Sequence, residues 1–375
     1  MRLRSLQLNK INIPLRSYVA HNLGIYNFSE SVIVKVTTDE GLSGWGEARP
    51  RTYLTGETFG SVEKSITELA LNFFLGKEFR SLEAVQRYLH QVVPVQRDQL
   101  AAFAGLELAV LDTAGQFFHR HLQRIIGYRI NGTFVEAANI GFQTRTIDLP
   151  KACLAVRLGG YGAVKVKAGL NDDIERIAMI RRCLGEEIFL WIDANGAWEY
   201  DVAVQIIKDY GRFGVNVIEQ PVSASAIESL ALLREQTEAK IVVDESLCSI
   251  MDAQKLIKHR ACDIFNIRVG KCGGLLRSLD LVKLAMRHGI KWFLGALVAE
   301  TGILLQPLKM LARGITGTQI VEGVRQNKSL LADDIVTGCS SCGLGISVST
   351  AKTAQYSTKV TMVDLESGDF TVNQV

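Results

Sequence analysis

GAVKVKAGLNDDIERIAMIRRCLGEEIFLWIDANG, residues 162–196, holds two short apolar runs with an amphipathic segment between them. The apolar residues of the middle segment recur at helical spacing, and the flanking runs are rich in Val, Ile and aromatic residues. A strand, a helix and a second strand in this order predict one unit of a parallel sheet.

The same order recurs further along the chain. Later apolar runs, each followed by an amphipathic stretch, are GVNVIEQP (214–221), KIVVDES (240–246), CDIFNIRVG (262–270) and IKWFLGAL (290–297). Six or more short units favour a closed (β/α)8 TIM barrel over an open doubly wound sheet. No G-x-G-x-x-G turn follows a predicted strand, which argues further against a nucleotide-binding sheet.

Residues ahead of this region have a different pattern. Residues 1–50 alternate apolar and polar positions, and the stretch from Asp39 to Gly41 is typical of a hairpin turn. Between residues 60 and 125 the apolar residues recur at helical spacing. The sequence therefore predicts an α+β segment before the barrel.

The composition is that of an average soluble enzyme. Of 375 residues, 47% are hydrophobic and 22% are charged, which excludes a disordered chain, a collagen-like fibre and a coiled coil. The net charge of +3 gives no electrostatic footprint for nucleic acid. No apolar run approaches the roughly 18 to 20 residues of a membrane helix. No signal peptide is recognised, so we expect a cytoplasmic protein without membrane contact.

The cysteines support the same location. Their number, seven, is odd and their spacing matches no disulfide framework, which predicts reduced thiols. Cys339 and Cys342 form a CxxC pair. Because no second pair accompanies it, we interpret this pair as incidental rather than as a zinc or redox site.

Ionisable residues follow the predicted strands at a spacing of 24 to 26 residues: Lys165 and Lys167, then Asp193, Glu219, Asp244 and Arg268. A single acid in such a place is usually a helix cap or a solvated loop end. Three acids at one barrel mouth would repel one another unless a cation lay among them. Oxygen ligands of this kind suit Mg²⁺, with Mn²⁺ as the alternative ion.

The two lysines lie two residues apart on one strand, so both side chains point to the same face. In a barrel that face is the interior, whereas in another setting it would be a solvated strand end. A neighbouring ammonium group lowers the pKa of a lysine, which would make one of the pair a general base. The Arg268 guanidinium can balance charge but is a poor base.

The chain resembles the enolase superfamily in five motifs that occur in the same order: KVKAG (165–169), WIDANGAW (191–198), VIEQPV (217–222), VVDES (242–246) and NIRVGKCGGL (266–275). Within it, the closest resemblance is to the muconate-lactonizing-enzyme subgroup. The opening segment is similar to the capping domain of that family in DEGLSGWGEA (39–48), YLTGET (53–58) and AGLELAVLDTAGQ (104–116). The resemblance covers nearly the whole chain.

This resemblance implies a modified barrel of the (β/α)7β type with an α+β capping domain. The capping domain would span residues 1–130, the barrel residues 131–345, and a C-terminal segment, 346–375, would return to the capping domain. The resemblance also implies Mg²⁺ ligands at Asp193, Glu219 and Asp244, with Asn195 and Glu245 as their neighbours.

Lys167 is implied as the base that removes the proton α to a metal-bound carboxylate, giving a metal-stabilised enolate. Lys165 would lower the pKa of Lys167 and contact the carboxylate. The subgroup usually has a second lysine where this chain has Arg268, which puts proton transfer between the two faces of a substrate in doubt. Lys271 is a candidate substitute, but we expect it to face away if the strand continues, as a neighbour of the site or a helix-start residue.

Four further residues are candidate substrate contacts by resemblance. Glu300 matches a glutamate near the substrate, or else is an acid that complements a helix dipole. His21, Tyr26 and Tyr53 fall in the two loops that close over the barrel mouth, where specificity should lie, although each by itself is typical of a surface residue.

Three functions remain open at this point. We favour a one-base cycloisomerase or dehydratase of a small carboxylate, an Mg²⁺-dependent isomerase or lyase. The alternative is a dipeptide or N-acyl amino acid epimerase or racemase in which Arg268 or Lys271 serves the second face, and YLTGET supports it. The third is a binding protein that keeps the metal site without turnover. A symmetric homo-oligomer is expected.

Overall fold

The computed structural model begins with an antiparallel sheet and five helices, which we call the cap (residues 1–127). The structure describes residues 1–21, 24–91, 95–127, 134–142, 144–317, 320–366 and 369–374, and their side chains except at residues 21 and 366–374. The strands of the cap are β1 (Leu3–His21), β2 (Gly24–Thr38) and β3 (Ser43–Ala48). Its helices are α1 (Thr52–Thr55), α2 (Phe59–Leu69), α3 (Leu82–Gln91), α4 (Leu100–Phe117) and α5 (Gln123–Ile126). The predicted turn at residues 39–41 joins β2 to β3.

Eight parallel strands close into a barrel after the cap. They are β4 (Val135–Ile140), β5 (Ala163–Lys167), β6 (Phe189–Asp193), β7 (Val217–Glu219), β8 (Lys240–Val243), β9 (Ile264–Ile267), β10 (Lys291–Gly295) and β11 (Ile320–Glu322). The helices that follow these strands are α6 (Leu149–Leu158), α7 (Asp173–Leu184), α8 (Tyr200–Gly211), α9 (Ile227–Gln236), α10 (Ile250–Lys258), α11 (Leu275–Arg287), α12 (Gly302–Gly314) and α13 (Val324–Leu330). The predicted barrel with an α+β cap is confirmed.

The final segment carries the chain back to the cap. Its elements are β12 (Val336–Cys339), β13 (Ile346–Val348), α14 (Thr350–Tyr356), β14 (Ser357–Glu366) and β15 (Asp369–Gln374). The cap sheet has the order β15-β14-β1-β2-β3 because β14 pairs antiparallel with β1. All seven cysteines are free, and the CxxC pair lies on the β12–β13 hairpin.

Helix α4 lies buried against β3. The helix from Arg97 to Phe117 is long and apolar enough to cross a membrane, but 89% of its apolar window is buried inside the protein, as in a core helix. Glycines allow the close contact with β3. A Cβ atom at Gly46 would overlap the carbonyl oxygen of Gly105, and one at Gly105 would lie 2.8 Å from Cβ of Ala48.

Buried carboxylates of the cap hold the first turns of two barrel helices. Glu107 accepts hydrogen bonds from the N–H groups of Leu275 at 2.6 Å and Leu276 at 3.1 Å, where α11 begins. Glu47 accepts from the N–H and hydroxyl of Thr301, at 3.2 and 2.7 Å, just before α12. The first N–H groups of a helix lack partners within it, so a carboxylate there is stabilising. Because these helices begin at the C-terminal ends of the strands, the bonds fix the cap over that mouth.

We expect Glu107→Ala to lower the free energy of unfolding by about 2–4 kcal/mol, because it leaves two buried N–H groups without an acceptor. Denaturant unfolding followed by circular dichroism measures this. The control is Glu235→Ala at an exposed position of α9, for which a change below about 0.5 kcal/mol is expected. A loss for Glu107→Ala no larger than that of the control would contradict the anchoring role.

Candidate active site

Lys165 is surrounded by carboxylates at the C-terminal mouth of the barrel. Its Nζ lies 3.0 Å from Oδ2 of Asp193, 3.0 Å from Oε1 of Glu219 and 2.8 Å from Oε2 of Glu322. Lys167 and Asp193 are direct partners across β5 and β6, and Asp193 and Glu219 are partners across β6 and β7. Parallel pairing therefore brings these charges to one level of the barrel.

Lys167 is the lysine of this pair that opens toward the mouth. Its side chain is 14% exposed, against 3% for Lys165. Its Nζ lies 2.6 Å from Oδ2 of Asp193 and donates to Oδ1 of Asn195 at 2.8 Å. Asn195 in turn donates to Oε1 of Glu245 at 2.9 Å. The amine of Lys167 is thus held in place while remaining accessible to a small molecule.

Carboxylates, rather than the neighbouring lysine, dominate the surroundings of Lys165. Burial lowers the pKa of Lys165, but the carboxylates of Asp193, Glu219 and Glu322 together outweigh burial and hold this pKa well above its usual range. The sequence places the two lysines beside each other but does not show how closely three carboxylates surround Lys165, and the role of Lys167 as the base stays a prediction.

The three predicted metal ligands are all buried. Burial and the neighbouring Asp193 raise the pKa of Glu219 to about 8, and Trp191 donates from its indole nitrogen to Oε2 of Glu219 at 2.9 Å. Burial acts to raise the pKa of Asp193 as well, but Lys165 and Lys167 reverse the effect and lower it.

The donors at this mouth suit a hard cation. Asp193, Glu219 and Asp244 offer only carboxylate oxygen, and Oε2 of the buried Glu245 has no hydrogen-bond partner within the described part of the chain. Across the same described ranges, no three His, Cys, Asp or Glu side chains converge tightly enough to enclose one ion. Ammonium and guanidinium groups neutralise these carboxylates instead, so ion pairs set the spacing between them. The carboxylate oxygens themselves are ligands of the kind that Mg²⁺ prefers.

Arg268 lies among the acids, one residue beyond the end of β9. Its Nη2 is 2.5 Å from Oδ2 of Asp244, 3.1 Å from Oε1 of Glu322 and 3.5 Å from Oε1 of Glu219. Burial acts to lower the pKa of Arg268, but the carboxylates of Asp244, Glu322 and Glu219 outweigh burial. They hold this pKa well above its usual range. The guanidinium therefore remains charged and does not act as a base.

Lys271 lies as a neighbour of the site, although not because the strand continues to it. β9 ends at Ile267, and the chain then turns, so the strand alternation does not extend to Lys271. The Lys271 side chain is buried, and its Nζ contacts the carbonyl oxygen of Asp244 and lies 2.5 Å from Oδ1 of the same residue. Lys271 thus contacts Asp244 without lining the cavity at the mouth.

Glu322 is a site residue that the sequence analysis missed. It ends β11, the last barrel strand, and its carboxylate bridges Lys165 and Arg268. Only two apolar residues, Ile320 and Val321, precede Glu322, too few to stand out as an apolar run. Extending the spacing by two more units, past the end of β10 to that of β11, would have found it.

A cavity of about 160 Å³ lies over these charges. Its charged lining residues are Lys165, Lys167, Arg268 and Glu322, and β1 of the cap contributes Val19 and Ala20. A second cavity, of about 410 Å³, opens at the opposite end of the barrel and is lined mainly by the starts of the strands. It holds none of the predicted site residues, so we assign the chemistry to the smaller cavity.

Neither Tyr26 nor Tyr53, two of the predicted substrate contacts from the cap, is among the described residues that line the 160 Å³ cavity. The guanidinium of Arg51 stacks 4.7 Å from the ring centre of Tyr26. Burial and Tyr26 raise the pKa of Tyr53, whereas Arg51 and Arg268 act to lower it, so Tyr53 lies within electrostatic reach of the site. The side chain of His21 lies outside the described residues.

Glu300 is buried beneath the cap. Its Oε1 has no hydrogen-bond partner in the described part of the protein, and burial with the nearby Glu47 raises its pKa to about 8. Thr301, rather than Glu300, caps α12 through its hydroxyl. Glu300 does not belong to the lining of the 160 Å³ cavity.

Known proteins are similar to this chain in sequence and in architecture. Residues 12–127 match the mandelate racemase/muconate lactonizing enzyme N-terminal domain, and residues 148–349 match the enolase C-terminal domain-like model. A hydrophobic dipeptide epimerase of Enterococcus faecalis is 30% identical over 81% of this chain and 84% of its own length. An N-succinyl-L-Arg/Lys racemase of Bacillus cereus is 27% identical over 80% of this chain and 81% of its own.

Solved structures of these two relatives are similar to this chain as well. The E. faecalis dipeptide epimerase complexed with Mg and L-Leu-L-Tyr superposes with a TM-score of 0.82 at 27% identity, over 92% of this chain and all of that one. The B. cereus racemase gives a TM-score of 0.88 over 97% of this chain and all of its own, at 24% identity, a likeness of fold. The matched domains cover most of the sequence, and the chain belongs to the mandelate racemase/muconate lactonizing enzyme family of the enolase superfamily.

Proposed function

We propose that this protein is an Mg²⁺-dependent isomerase that removes the proton α to the carboxylate of a dipeptide or N-acyl amino acid, with Lys167 as the base. One observation carries the proposal. The Lys167 amine is held between Asp193 and Asn195 and opens to the cavity at the barrel mouth. Epimerisation or racemisation, the alternative in the sequence analysis, is the favoured reaction because the similar curated proteins are epimerases and racemases. The cycloisomerase and dehydratase that we favoured from sequence gain no support from them.

The carboxylates of Asp193, Glu219 and Asp244 are the groups that would hold Mg²⁺. When bound, such an ion withdraws electron density from a substrate carboxylate and so acidifies its α-proton. Asn195 orients the Lys167 amine, and Trp191 fixes one oxygen of Glu219.

The remaining cations hold charge instead of moving protons. Lys165 and Arg268 both line the cavity and keep their protons, because adjacent carboxylates raise their pKa values. They stabilise the negative charge that loss of the α-proton leaves on the substrate. Lys167 takes that proton and can return it to the same face, so epimerisation would need a second proton donor on the opposite face of the substrate.

Arg268 favours a second candidate function. Inversion at carbon needs a proton carrier on each face of the substrate, and Arg268 occupies the cavity as a permanently charged group. Lys271 is held behind Asp244. A reaction confined to one face, such as exchange with retained configuration or an elimination, is consistent with Lys167 acting alone.

Proton exchange in D₂O separates these functions. With Mg²⁺ and pools of dipeptides and N-acyl amino acids, we expect deuterium uptake at the α-carbon, detected by mass spectrometry. Chiral chromatography then distinguishes inversion, which supports the epimerase, from retention, which supports the one-face reaction. No exchange with any pool would favour a binding protein and contradict both.

Lys167→Ala should reduce the exchange rate by about 10²–10⁴-fold, because it removes the general base. The matched control is Lys240→Ala, a lysine at the opposite end of the barrel whose side chain is 63% exposed and which pairs with Asp263. The control should exchange at the wild-type rate. Equal rates for Lys167→Ala and the control would remove Lys167 from the mechanism.

Metal binding is tested by stability. Mg²⁺ at about 100 times its Kd should raise the free energy of unfolding by about 2.7 kcal/mol. Asp244→Asn should lose most of this gain, because it removes a charged oxygen ligand. Asp263→Asn, at the other end of the barrel, should keep the gain. Equal stabilisation of both variants would place the ion elsewhere.

A further inference from the structure

A cavity of about 410 Å³ lies at the end of the barrel opposite the active site, and we call it the floor cavity. All eight barrel strands contribute to its described lining, seven with their first residue and β5 with the residue just before its first. Its volume falls within the roughly 300–1,000 Å³ that is typical of small-molecule sites. The floor cavity and the cavity at the mouth share none of their described lining residues, so they are separate spaces.

Most of the lining of the floor cavity is apolar. The rings of Phe189 and Phe293 lie edge to face with their centres 6.3 Å apart, and Val217, Ile264 and Ile320 belong to the same lining. Phe189 remains 37% exposed. The interior of a (β/α)8 barrel is ordinarily filled by layers of side chains, so apolar surface left open at one end is available to a ligand. A chain or ring that covered this surface would remove it from water, which is favourable.

The charged residues of the floor cavity leave one positive charge without a partner. Asp263 is the single acid among the described lining residues, and its carboxylate is engaged: Nε of Arg234 lies 3.0 Å from Oδ1, and the N–H group of Ile241 donates to Oδ2 at 3.0 Å. Lys240 lies farther from the same carboxylate, at 3.7 Å. Lys291 has no carboxylate partner in the described part of the chain. An anionic group is therefore the charge complement of this lining.

An apolar layer separates the floor cavity from the active site. Alternate residues of β6 point into the barrel: Phe189 lines the floor cavity, Trp191 belongs to a buried layer above it, and Asp193 reaches the mouth. The rings of Trp191 and Phe293 pack with their centres 5.6 Å apart, and Trp191 is fully buried. A ligand in the floor cavity would therefore contact neither Lys167 nor the carboxylates of the mouth.

We propose that the floor cavity is a binding site for a carboxylate that carries an apolar chain. The chain would lie against Phe189 and Phe293, and the carboxylate would pair with the exposed Lys291, where Lys240 adds a second positive charge. The apolar surface supplies most of the affinity, and the lysines select an anion over a neutral molecule of the same length. This inference goes beyond the proposed function, because it concerns the opposite end of the barrel.

Three ligands test the two requirements of this site. Octanoate has both the chain and the carboxylate, 1-octanol has the chain without the charge, and acetate has the charge without the chain. Binding to the full chain is measured by calorimetry without added Mg²⁺. We expect octanoate to bind with a Kd below about 1 mM, 1-octanol to bind about three- to fivefold more weakly, and acetate not to bind at that concentration.

A variant pair tests the role of Lys291. Lys291→Met removes the charge and keeps a chain of similar length, whereas Lys151→Met makes the same change at an exposed position of α6. We expect Lys291→Met to weaken octanoate binding about three- to fivefold and to leave 1-octanol binding unchanged, because only the carboxylate needs the ammonium group. Lys151→Met should bind both ligands as the wild type does. Circular dichroism checks that both variants are folded.

Lys167→Ala distinguishes the two ends of the barrel. A carboxylate bound at the mouth would lose a cationic partner in this variant, whereas one bound in the floor cavity would not. We expect the Kd of octanoate to be the same for Lys167→Ala and the wild type.

Four results would each overturn the proposal. They are a Kd for octanoate above about 1 mM, binding of acetate as tight as that of octanoate, equal octanoate affinities of Lys291→Met and Lys151→Met, and weaker octanoate binding by Lys167→Ala. None of them bears on the exchange of α-protons at the mouth, so the proposed function is tested separately.

Discussion

Compensation of buried charge is the constraint on which the barrel mouth depends. Ionised groups taken out of water are tolerated only when opposite charges or hydrogen bonds replace the lost hydration. Here each carboxylate that β6, β7 and β11 bring to the mouth meets an ammonium or guanidinium group at close range. Glu219 shows the limit of this compensation: Lys165, the indole of Trp191 and the amide of Asn266 all contact it, yet burial and Asp193 still raise its pKa to about 8. A bound divalent ion would enter a network in which lysine and arginine side chains already pair with the carboxylates.

Carboxylates serve two purposes in this fold. Those at the mouth face cations, whereas those of the cap accept hydrogen bonds from backbone N–H groups at the starts of helices. Glu57 holds the start of α4 in the same way as Glu107 holds α11. The position of the cap over the mouth therefore depends on hydrogen bonds to helix starts that lie within a few residues of the site. The site residues and these helix starts both lie at the C-terminal ends of the barrel strands.

Much of the fold and part of the site were predictable. Parallel strands place their C-terminal ends together, so acids and lysines that follow successive apolar runs are expected to lie close to one another. Lys165, Lys167, Asp193 and Glu219 do so. The contact of Lys271 with Asp244 could not be predicted, because an apolar pattern does not show where a strand ends and a turn begins. Glu322 was missed because only two apolar residues, Ile320 and Val321, precede it in the sequence. The high pKa of Lys165 depends on distances between side chains from different strands, which the spacing of residues along a chain does not contain.

The pairing of β1 with β14 also bears on how the protein is made. Arg4 of β1 bonds to Asp364 of β14, 360 positions later in the chain, so this edge of β1 stays open while the ribosome synthesises the intervening barrel. An open strand edge is a site for wrong pairing between chains, and contacts between distant positions slow folding. Charged and polar residues on β1, among them Arg4, Asn9 and Lys10, oppose such pairing until β14 has been synthesised. The pairing of β1 with β14 therefore forms only after the barrel between them has been synthesised.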